Sequence, residues 1–358
     1  MTSVELVSFK LDRKEISNKL FKEIIGIDTL PLANTYVEII IKNIPTAYIN
    51  AFRRVSIDEL TGYALQIPTN VSNTTDEFML PQFINQRISL IPLKINVGND
   101  YGNIKFNLIV TNDTVNIKHV YSRDLKLVSG KLSEPIFNPT FIIGILQPGR
   151  TIDIRDIYIA SGIGKDNTIF QRARCARYTH LDIPQYSSDE INNGKASDYS
   201  GYKISSLVSN PKHHKYSCIL AATNNDPAEI KNLFIEVCNN IKDRIRYILL
   251  HIETNVKSES VNQSIKYNIF QLTNGIYEGV LEITGETYTI GELLKRTIFD
   301  QIPDIINIIY NIIVHDNKLK IVIQHKEHVT KILINALNYC LSVFDSLQKQ
   351  INEYNVKI

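Results

Sequence analysis

The 358-residue sequence has few cysteines, little excess charge of either sign and no long hydrophobic run. Its four cysteines are Cys175, Cys218, Cys238 and Cys340, and none has the CxxC spacing of zinc knuckles or redox motifs. A formal net charge of +2 excludes the basic field over a whole protein that nucleic-acid binding usually leaves. The apolar runs VEIIIKNI and IINIIYNIIV are too short or too polar to span a bilayer.

The composition is that of an ordinary globular protein, with 44% apolar and 21% charged residues. A chain of this length has room for roughly two or three domains, each with its own core. Sparse cysteines are typical of a reducing compartment. The N-terminal stretch MTSVELVSFKLDRKEISNKL carries charges in every turn, unlike a signal peptide. We therefore expect a soluble protein of the cytosol, or of nucleus and cytosol.

The first half begins with a β-rich segment and a short helix. Residues 36–44 favour strand, and residues 46–60 switch to helical periodicity, with Thr46 as the predicted N-cap. Arg54 and Asp58 fall at positions i and i+4 of this helix, where an ion pair can form. Short strands and turns are predicted from there to about residue 177, interrupted by a helix in DEFMLPQFINQRI.

A polar stretch and a long helix complete the first half. Residues 187–215 are rich in Ser, Asn and Gly and are predicted to form an exposed loop region. Apolar residues then recur every three or four positions over about 227–252, which predicts an amphipathic helix. Residues 254–267 show no periodicity and are predicted to be a linker.

The second half repeats this order of elements. A strand, GVLEITGE, precedes the helix TIGELLKRTIFDQI, two strands, and an amphipathic helix at about 328–354. The segments TAYINAFRRVSIDELTGYAL and ETYTIGELLKRTIFDQIPDI align at an offset of 242 residues (293 minus 51). The matched pairs are Ala51 with Leu293, Phe52 with Leu294, Arg53 with Lys295, Arg54 with Arg296, and Asp58 with Asp300. Two like units in one chain are expected to pack about a pseudo-twofold axis.

The sequence contains no catalytic constellation of Ser, Cys, His and carboxylate residues. The adjacent His213 and His214 are predicted to belong to a solvated basic patch, and His325 and His328 to lie on the surface. The segment SGIGKD lacks Walker spacing and is predicted to form a turn. We expect no metal site and no cofactor.

The paired basic residues of the short helices leave two interpretations open. One is a solvated helix face with an internal Arg–Asp pair, stabilised by a few tenths of a kcal/mol. The other is an interface, because arginine forks bind carboxylates on partner proteins. At least one member of each pair, Arg53–Arg54 and Lys295–Arg296, has to face outward.

Three motifs in the first half resemble the RNA polymerase subunit family of bacterial α, archaeal D and the third-largest subunit of eukaryotic polymerase II. They are INAFRRVSIDEL, DEFMLPQFINQRISLIPL and SGIGKDNTIF, in the family's order. In the second half, GETYTIGELLKRTIFDQIPDI resembles archaeal L and the eleventh subunit of polymerase II. Tyr288 and Glu292 depart from the His and Asn of that family. Both families in one chain resemble the fused form of large cytoplasmic DNA viruses of the African swine fever type.

The resemblance implies an α+β fold: a pseudo-dimer of two bacterial-α-like dimerisation units, the first carrying an inserted β-rich domain. The first unit would comprise residues 1–64 and 178–253, the insert 65–177, and the second unit 268–358, after the linker. The expected pseudo-dimer core residues are Phe52, Val237, Ile241, Ile245, Ile248, Leu293, Leu294, Ile298, Ala336, Cys340, Phe344 and Leu347. The family's cysteine clusters for zinc or iron–sulfur in the insert have no counterpart here.

The implied function is a non-catalytic assembly platform of a multisubunit DNA-directed RNA polymerase, at work in the cytoplasmic viral factory and present in the virion. Its implied partners are the largest and second-largest subunits and a small zinc-binding subunit similar to the tenth subunit of polymerase II, with no sequence-specific nucleic-acid contact and no membrane. The candidate partner-interface residues are Arg53, Arg54, Asp58, Glu77, Arg87 and Lys165. Arg53–Arg54 is the expected partner contact, and Lys295–Arg296 is expected to be structural. The alternative is a standalone sequence-specific DNA-binding transcription factor.

Overall fold

The computed structural model describes residues 4–14, 34–68, 72–94, 101–132, 135–181, 212–220, 227–255, 264–272, 275–313 and 315–354. These residues form helices and several antiparallel sheets, so the fold is of the α+β class. Most of the predicted 187–215 loop and the centre of the predicted linker lie outside the described residues.

Most of the elements are short strands, and helices separate some of them. The strands are β1 (Glu5–Lys14), β2 (Asn34–Lys42), β3 (Thr61–Gln66), β4 (Ser72–Thr74), β5 (Lys105–Thr111), β6 (Lys118–Tyr121), β7 (Leu125–Ser129), β8 (Ile142–Leu146), β9 (Thr151–Ile163), β10 (Ala173–His180), β11 (His214–Leu220), β12 (Ile265–Gln271), β13 (Tyr277–Thr284), β14 (Asn307–Ile313) and β15 (Lys318–His325). The helices are α1 (Thr46–Asp58), α2 (Pro81–Ser89), α3 (Pro227–Asn255), α4 (Tyr288–Gln301) and α5 (Val329–Glu353).

Two four-stranded antiparallel sheets have the same strand order. The first sheet runs β1-β2-β11-β10 and the second β12-β13-β15-β14, so each places its strands in the order first, second, fourth, third. In each sheet the second strand leads into a short helix, α1 or α4, and the fourth strand precedes a long helix, α3 or α5. In β15 every second residue is buried, as expected of a strand with one face on the core.

A third sheet occupies the middle of the chain and has its own hydrophobic cluster. Its strand order is β3-β9-β5-β7, with β4 also paired to β9, and a separate ladder joins β6 to β8. The cluster is built from residues between Leu65 and Ile159, whereas the helices α1, α3, α4 and α5 share another cluster. The third sheet begins at Thr61 and ends at Ile163.

Four local predictions were wrong at element boundaries. The N-cap of α1 is Pro45, with extended backbone (φ −66°, ψ 152°), so Thr46 lies inside the helix and cannot cap it. The second helix begins at Pro81, because the Asp76 carboxylate accepts the N–H of Phe78 (3.0 Å) and holds the preceding residues in a turn. Residues 214–215 and 265–267, predicted as loop and linker, instead start β11 and β12, where ladder hydrogen bonds order them.

Candidate subunit interface

Arg53 and Arg54 lie on the last two turns of α1, and both side chains are half-buried. Arg53 Nε donates to Asn50 Oδ1 at 3.1 Å, a hydrogen bond within the helix. Ser56 Oγ donates to the Arg53 carbonyl at 2.7 Å and is hydrogen-bonded to the buried Tyr216 hydroxyl at 2.7 Å. These contacts fix the end of α1 against β11, so its basic side chains project from a rigid support.

The turn that contains Gly164 and Lys165 packs against the end of α1. The backbone N–H of Lys165 donates to the Asp58 carbonyl at 2.8 Å. A Cβ on Gly164 would lie 2.5 Å from the Ile57 carbonyl oxygen, so only glycine fits this close approach. Asp58 Oδ1 accepts a hydrogen bond from Gln171 Nε2 at 3.3 Å. The first half of SGIGKD is therefore the end of β9, because Ser161–Ile163 pair with β3, and only Gly164–Asp166 form the predicted turn. This turn brings the exposed Lys165 beside the helix that carries Arg53 and Arg54.

Glu77 and Arg87 belong to the third sheet's region. Glu77 is 81% exposed and lies 3.6 Å from Arg150, a solvent-exposed ion pair. Arg87 Nη2 donates to the Ile142 carbonyl at 3.1 Å, and its guanidinium lies 5.4 Å from the centre of the Phe83 ring. The six candidate interface residues thus fall into two groups: four at the end of α1 and two around α2.

Exposed apolar side chains surround α2 and were missed as candidate interface residues. They are Phe78, Leu80, Phe83 and Leu90, and Phe78 is 80% exposed. Ile84 and Ile88 form the buried face of the same helix. The sequence did contain a signal for them: Phe83 lies outside the helical stripe of Ile84 and Ile88, so an apolar side chain is left on the other face. Exposed apolar clusters of this kind mark interaction surfaces.

A partly buried charge cluster joins the two short helices through α3. Arg244 on α3 donates from Nε to Glu286 Oε1 at 3.0 Å, and its Nη atoms contact Glu59 and Glu286. Glu59 follows α1, and Glu286 precedes α4. Burial raises the pKa of Glu59; Arg244 counteracts this, Glu286 adds to it, and Lys165 and Arg54 act against it. The cluster therefore places one guanidinium between two carboxylates from different halves of the chain.

The second half differs from the first at its basic pair. Arg296 Nη2 lies 2.9 Å from Asp300 Oδ1, the internal i,i+4 pair that the sequence permitted. At the matching position of the first half, the Asp58 carboxylate accepts from Gln171 instead. Lys295 Nζ lies 5.6 Å from the centre of the Tyr310 ring. Lys295 and Arg296 thus both have contacts within the second half.

Tyr288 and Glu292 meet at Tyr310. The rings of Tyr288 and Tyr310 lie edge to face with centroids 6.2 Å apart. Burial raises the pKa of Tyr310 to about 12, and a hydrogen bond to Glu292 adds to the effect. The two residues that depart from the family motif therefore pack against the same β14 side chain.

The twelve candidate core residues lie in one hydrophobic cluster and are at most 1% exposed. Tyr48 of α1 packs on Phe344 of α5 with ring centroids 5.7 Å apart. The Tyr48 hydroxyl is also hydrogen-bonded to Thr297 Oγ1 of α4 at 2.6 Å and to Cys340 Sγ of α5 at 3.4 Å. Side chains from both halves thus complete this cluster.

Two histidine predictions were wrong. His214 is fully buried on β11, and its Nδ1 lies 3.0 Å from His180 Nδ1, because strand alternation turns it to the core side. His325 is 3% exposed at the end of β15, where its Nδ1 accepts the N–H of Glu327 at 2.9 Å. His213 and His328 lie nearer the surface. Within the described ranges, no group of three or more His, Cys, Asp or Glu residues is arranged to hold a metal ion.

Sequence similarity to named proteins identifies the family of this chain. No family model matches the chain. It is 34% identical over 335 residues to the DNA-directed RNA polymerase RPB3-11 homolog of African swine fever virus (isolate Pig/Kenya/KEN-50/1950), covering 91% of this chain and 90% of that protein. The homolog of strain Badajoz 1971 Vero-adapted matches with the same identity and coverage. The chain belongs to this RPB3-11 family of DNA-directed RNA polymerase subunits.

A cellular polymerase subunit is also similar to this RPB3-11 family member. Subunit RPAC1 of DNA-directed RNA polymerases I and III from Saccharomyces cerevisiae is 25% identical over 218 residues, half of this chain and 64% of that protein. The resemblance drawn from the motifs is thus confirmed, and with it the prediction of an RNA polymerase subunit. The alternative of a standalone DNA-binding transcription factor is not supported by these relatives. None of the helices in the described part is long and apolar enough to cross a membrane.

Proposed function

We propose that this RPB3-11 homolog is a non-catalytic assembly platform, in which two α-like units of one chain form a pseudo-dimer that collects the large polymerase subunits. The observation that carries the proposal is the identical strand order of the two four-stranded sheets. In each, a short helix follows the second strand and a long helix follows the fourth. Two units of one topology sharing a single core are what an isologous dimer becomes when its subunits are joined.

Reciprocal contacts support the pseudo-twofold arrangement. From the second unit, Gln350 of α5 accepts the N–H of Leu6 (2.6 Å) and donates to the Val4 carbonyl (2.7 Å), next to β1 of the first unit. From the first unit, Tyr247 of α3 is hydrogen-bonded to Ser264 at 3.2 Å, just before β12 of the second unit. Each long helix thus contacts the first strand of the opposite unit, as twofold symmetry requires.

We propose domain boundaries close to those expected from the resemblance: residues 1–64 and 178–253 for the first unit, 65–177 for the inserted β-rich domain and 268–358 for the second unit. The pairing of β12 with β13 supports a start of the second unit at Ile265, a few residues before 268. The separate hydrophobic cluster between Leu65 and Ile159 supports the insert. The pairing of β10 with β11 supports a return to the first unit several residues before 178. Joining the units raises their effective concentration to about millimolar and fixes a 1:1 ratio.

The end of α1 is the surface we assign to the second-largest subunit. Arg54 and Lys165 both act on the nearby Glu59 carboxyl, and Arg53 is the neighbour of Arg54 on α1. Guanidinium groups bind carboxylates of partner proteins with defined geometry. The exposed apolar residues around α2, with Glu77 and Arg87, are a second surface that we assign to partner contact, on the insert. The largest subunit and a small zinc-binding subunit join afterwards, and transcription by the complex takes place in the viral factory and from the virion.

Co-expression with the two large subunits of the same polymerase tests this function. Affinity purification on a tag at this chain is expected to recover both. The double variant Arg53→Glu and Arg54→Glu is expected to lower recovery of the second-largest subunit at least about tenfold. The matched control, Lys126→Glu with Lys131→Glu, changes the charge equally on exposed side chains of the insert.

The two possible failures have different meanings. If the wild-type chain recovers neither large subunit, the platform role is wrong. If the arginine variant recovers both as well as the control does, only the assignment of the α1 surface is wrong. Melting curves of both variants, followed by circular dichroism, separate a lost contact from a lost fold.

A further inference from the structure

The free edge of β12 borders an open apolar groove. In the described part of the chain, β12 pairs with β13 alone, so its other edge presents unpaired backbone groups. A cavity of about 930 Å³ lies between this strand and the start of α5. We call it the β12 edge groove; its walls are Tyr267, Ile269 and Phe270 on the strand and His328, Lys331 and Ile334 on the helix side.

The matching position in the first unit is closed. The 242-residue offset that relates Arg53 to Lys295 also relates Val37 of β2 to Gly279 of β13. Leu11 pairs with Val37, and Ile269 pairs with Gly279, so Leu11 and Ile269 are equivalent. Leu11 is 8% exposed and lies in the core, whereas Ile269 is 37% exposed. An apolar side chain that the first unit covers is therefore left uncovered in the second.

Apart from the exposed Lys266 near its start, β12 lacks the usual protection of a sheet edge. From Tyr267 to Leu272 the sequence YNIFQL has no charge and no proline, and its register with β13 is uninterrupted. By contrast, β1 has a register shift between Leu6 and Ser8 and is contacted by Gln350. Flat, uncharged edges pair readily with another strand, and proteins usually avoid exposing them.

The charges around the groove select the chemistry of its occupant. Its lining includes Lys331 and His328 and no acidic residue. The first turn of α5 also carries no acidic side chain, and its N-cap, His328, makes no side-chain capping bond. A carboxylate beside Lys331 would complement both the ammonium group and the positive end of the helix dipole.

We propose that the β12 edge groove binds an extended segment of a second polypeptide, which adds a strand to β12, covers Ile269 with an apolar side chain and places a carboxylate beside Lys331. Strand addition gives affinity through backbone hydrogen bonds and specificity through alternate side chains. This binding needs no role for the α1 surface, so it can succeed or fail independently of the platform assignment.

The test uses the full chain and two synthetic nine-residue peptides of alternating Ile and Thr, one ending in Asp-Asp and the other in Lys-Lys. The acidic peptide is expected to bind at least about tenfold more tightly by isothermal titration calorimetry. Ile269→Asp is expected to abolish binding, and Lys331→Glu to reverse the preference between the peptides. Ile145→Asp, at an exposed isoleucine of β8, is the matched control and should bind like wild type.

Backbone pairing has its own readout. N-methylation of alternate peptide residues should remove binding in one of the two registers, and hydrogen exchange of residues 266–272 should slow when the unmodified peptide binds. Failure of the acidic peptide to bind at about 500 μM overturns the proposal. So does protection, without peptide, of the outward-facing amides of β12, which make no hydrogen bond to β13. If this protection is independent of protein concentration, a segment of this chain is the occupant, and if it depends on concentration, a second copy is.

Discussion

Arg244 Nε lies 3.0 Å from Glu286 Oε1, and this contact ties the long helix of the first unit to the residue that precedes the short helix of the second. The same guanidinium contacts Glu59 at the end of α1. All three side chains are less than one-fifth exposed. Arg244 is therefore the point at which the two short helices and α3 are held in one arrangement.

Replacing Arg244 with methionine should destabilise the chain strongly. The substitution preserves much of the side-chain volume but removes the guanidinium that lies between two partly buried carboxylates. Breaking such a pair by removing one partner costs about 3 to 5 kcal/mol. Urea unfolding followed by circular dichroism measures the change. Arg246→Met is the control, because the Arg246–Asp243 pair is exposed and its loss should be near neutral; equal effects of the two substitutions would contradict the structural role of Arg244.

The Glu59 carboxyl should make stability depend on pH in a defined direction. Burial raises its pKa above the ordinary 4.5, so the folded chain binds more protons at Glu59 than the unfolded chain does. The contribution of Glu59 is therefore fully present below pH 4.5 and is lost as pH rises through the raised pKa. Relative to Glu59→Gln, the wild type should lose stability over this interval, measured as the difference in urea midpoints.

The Asp153 carboxyl should make stability depend on pH in the direction opposite to that of Glu59. Hydrogen bonds from Arg155 lower the pKa of Asp153. Its contribution to folding stability is therefore present above the ordinary pKa of an aspartate and is lost as pH falls through the lowered pKa. Relative to Asp153→Asn, the wild type should lose a small amount of stability on acidification, since this pair lies in solvent. If Glu59→Gln and Asp153→Asn shift the pH profile in the same direction, the assignment for Glu59 is wrong.

The cysteines should differ sharply in reactivity. Burial raises the pKa of Cys218 and Cys238 to about 12 and that of Cys340 to about 11, whereas Cys175 is exposed. Because the thiolate is the reactive form, a thiol reagent at about pH 8 should modify Cys175 in the folded chain and the other three only after unfolding. Mass spectrometry of labelled peptides identifies the sites. Rapid native labelling of Cys340 would mean that α5 does not pack on α1 and α4 in solution.

Periodicity in the sequence was sufficient to find the core of the helices but not the contacts between them. Ile241, Ile245 and Ile248 repeat at helical spacing, so they share one face of α3, and that face is buried. Arg244 sits among them without a local signal, because its partners are 185 and 42 residues away. A charged residue on an amphipathic helix is normally solvated, so only the packing of three helices identifies this one as partly buried.

Polar residues on strands were the other weakness of the sequence-based interpretation. His214 was assigned to a solvated patch because no cysteine or acidic residue is near it in the sequence, and His325 to the surface because it lies at a predicted strand–helix junction. Their burial depends on which face of each strand meets the helices, and that is fixed by register with β2 and β13. The motif residues Arg53, Arg54 and Lys165, by contrast, were chosen as interface candidates from the family resemblance. Their common position at the end of α1 depends on the packing of the Gly164–Lys165 turn, which periodicity does not reveal.

The two units should depend on each other for solubility. A chain ending at residue 255 would expose the stripe of Val237, Ile241, Ile245 and Ile248, which the second unit helps to bury. Large uncovered apolar surfaces cause aggregation, so residues 1–255 expressed alone should be insoluble or aggregated by light scattering. Co-expression of residues 264–358 as a separate chain should restore a soluble 1:1 complex, weaker than the intact chain because the association is now bimolecular. A soluble, monomeric 1–255 fragment with cooperative unfolding would contradict the pseudo-dimer, since it would show that the first unit buries its own long helix.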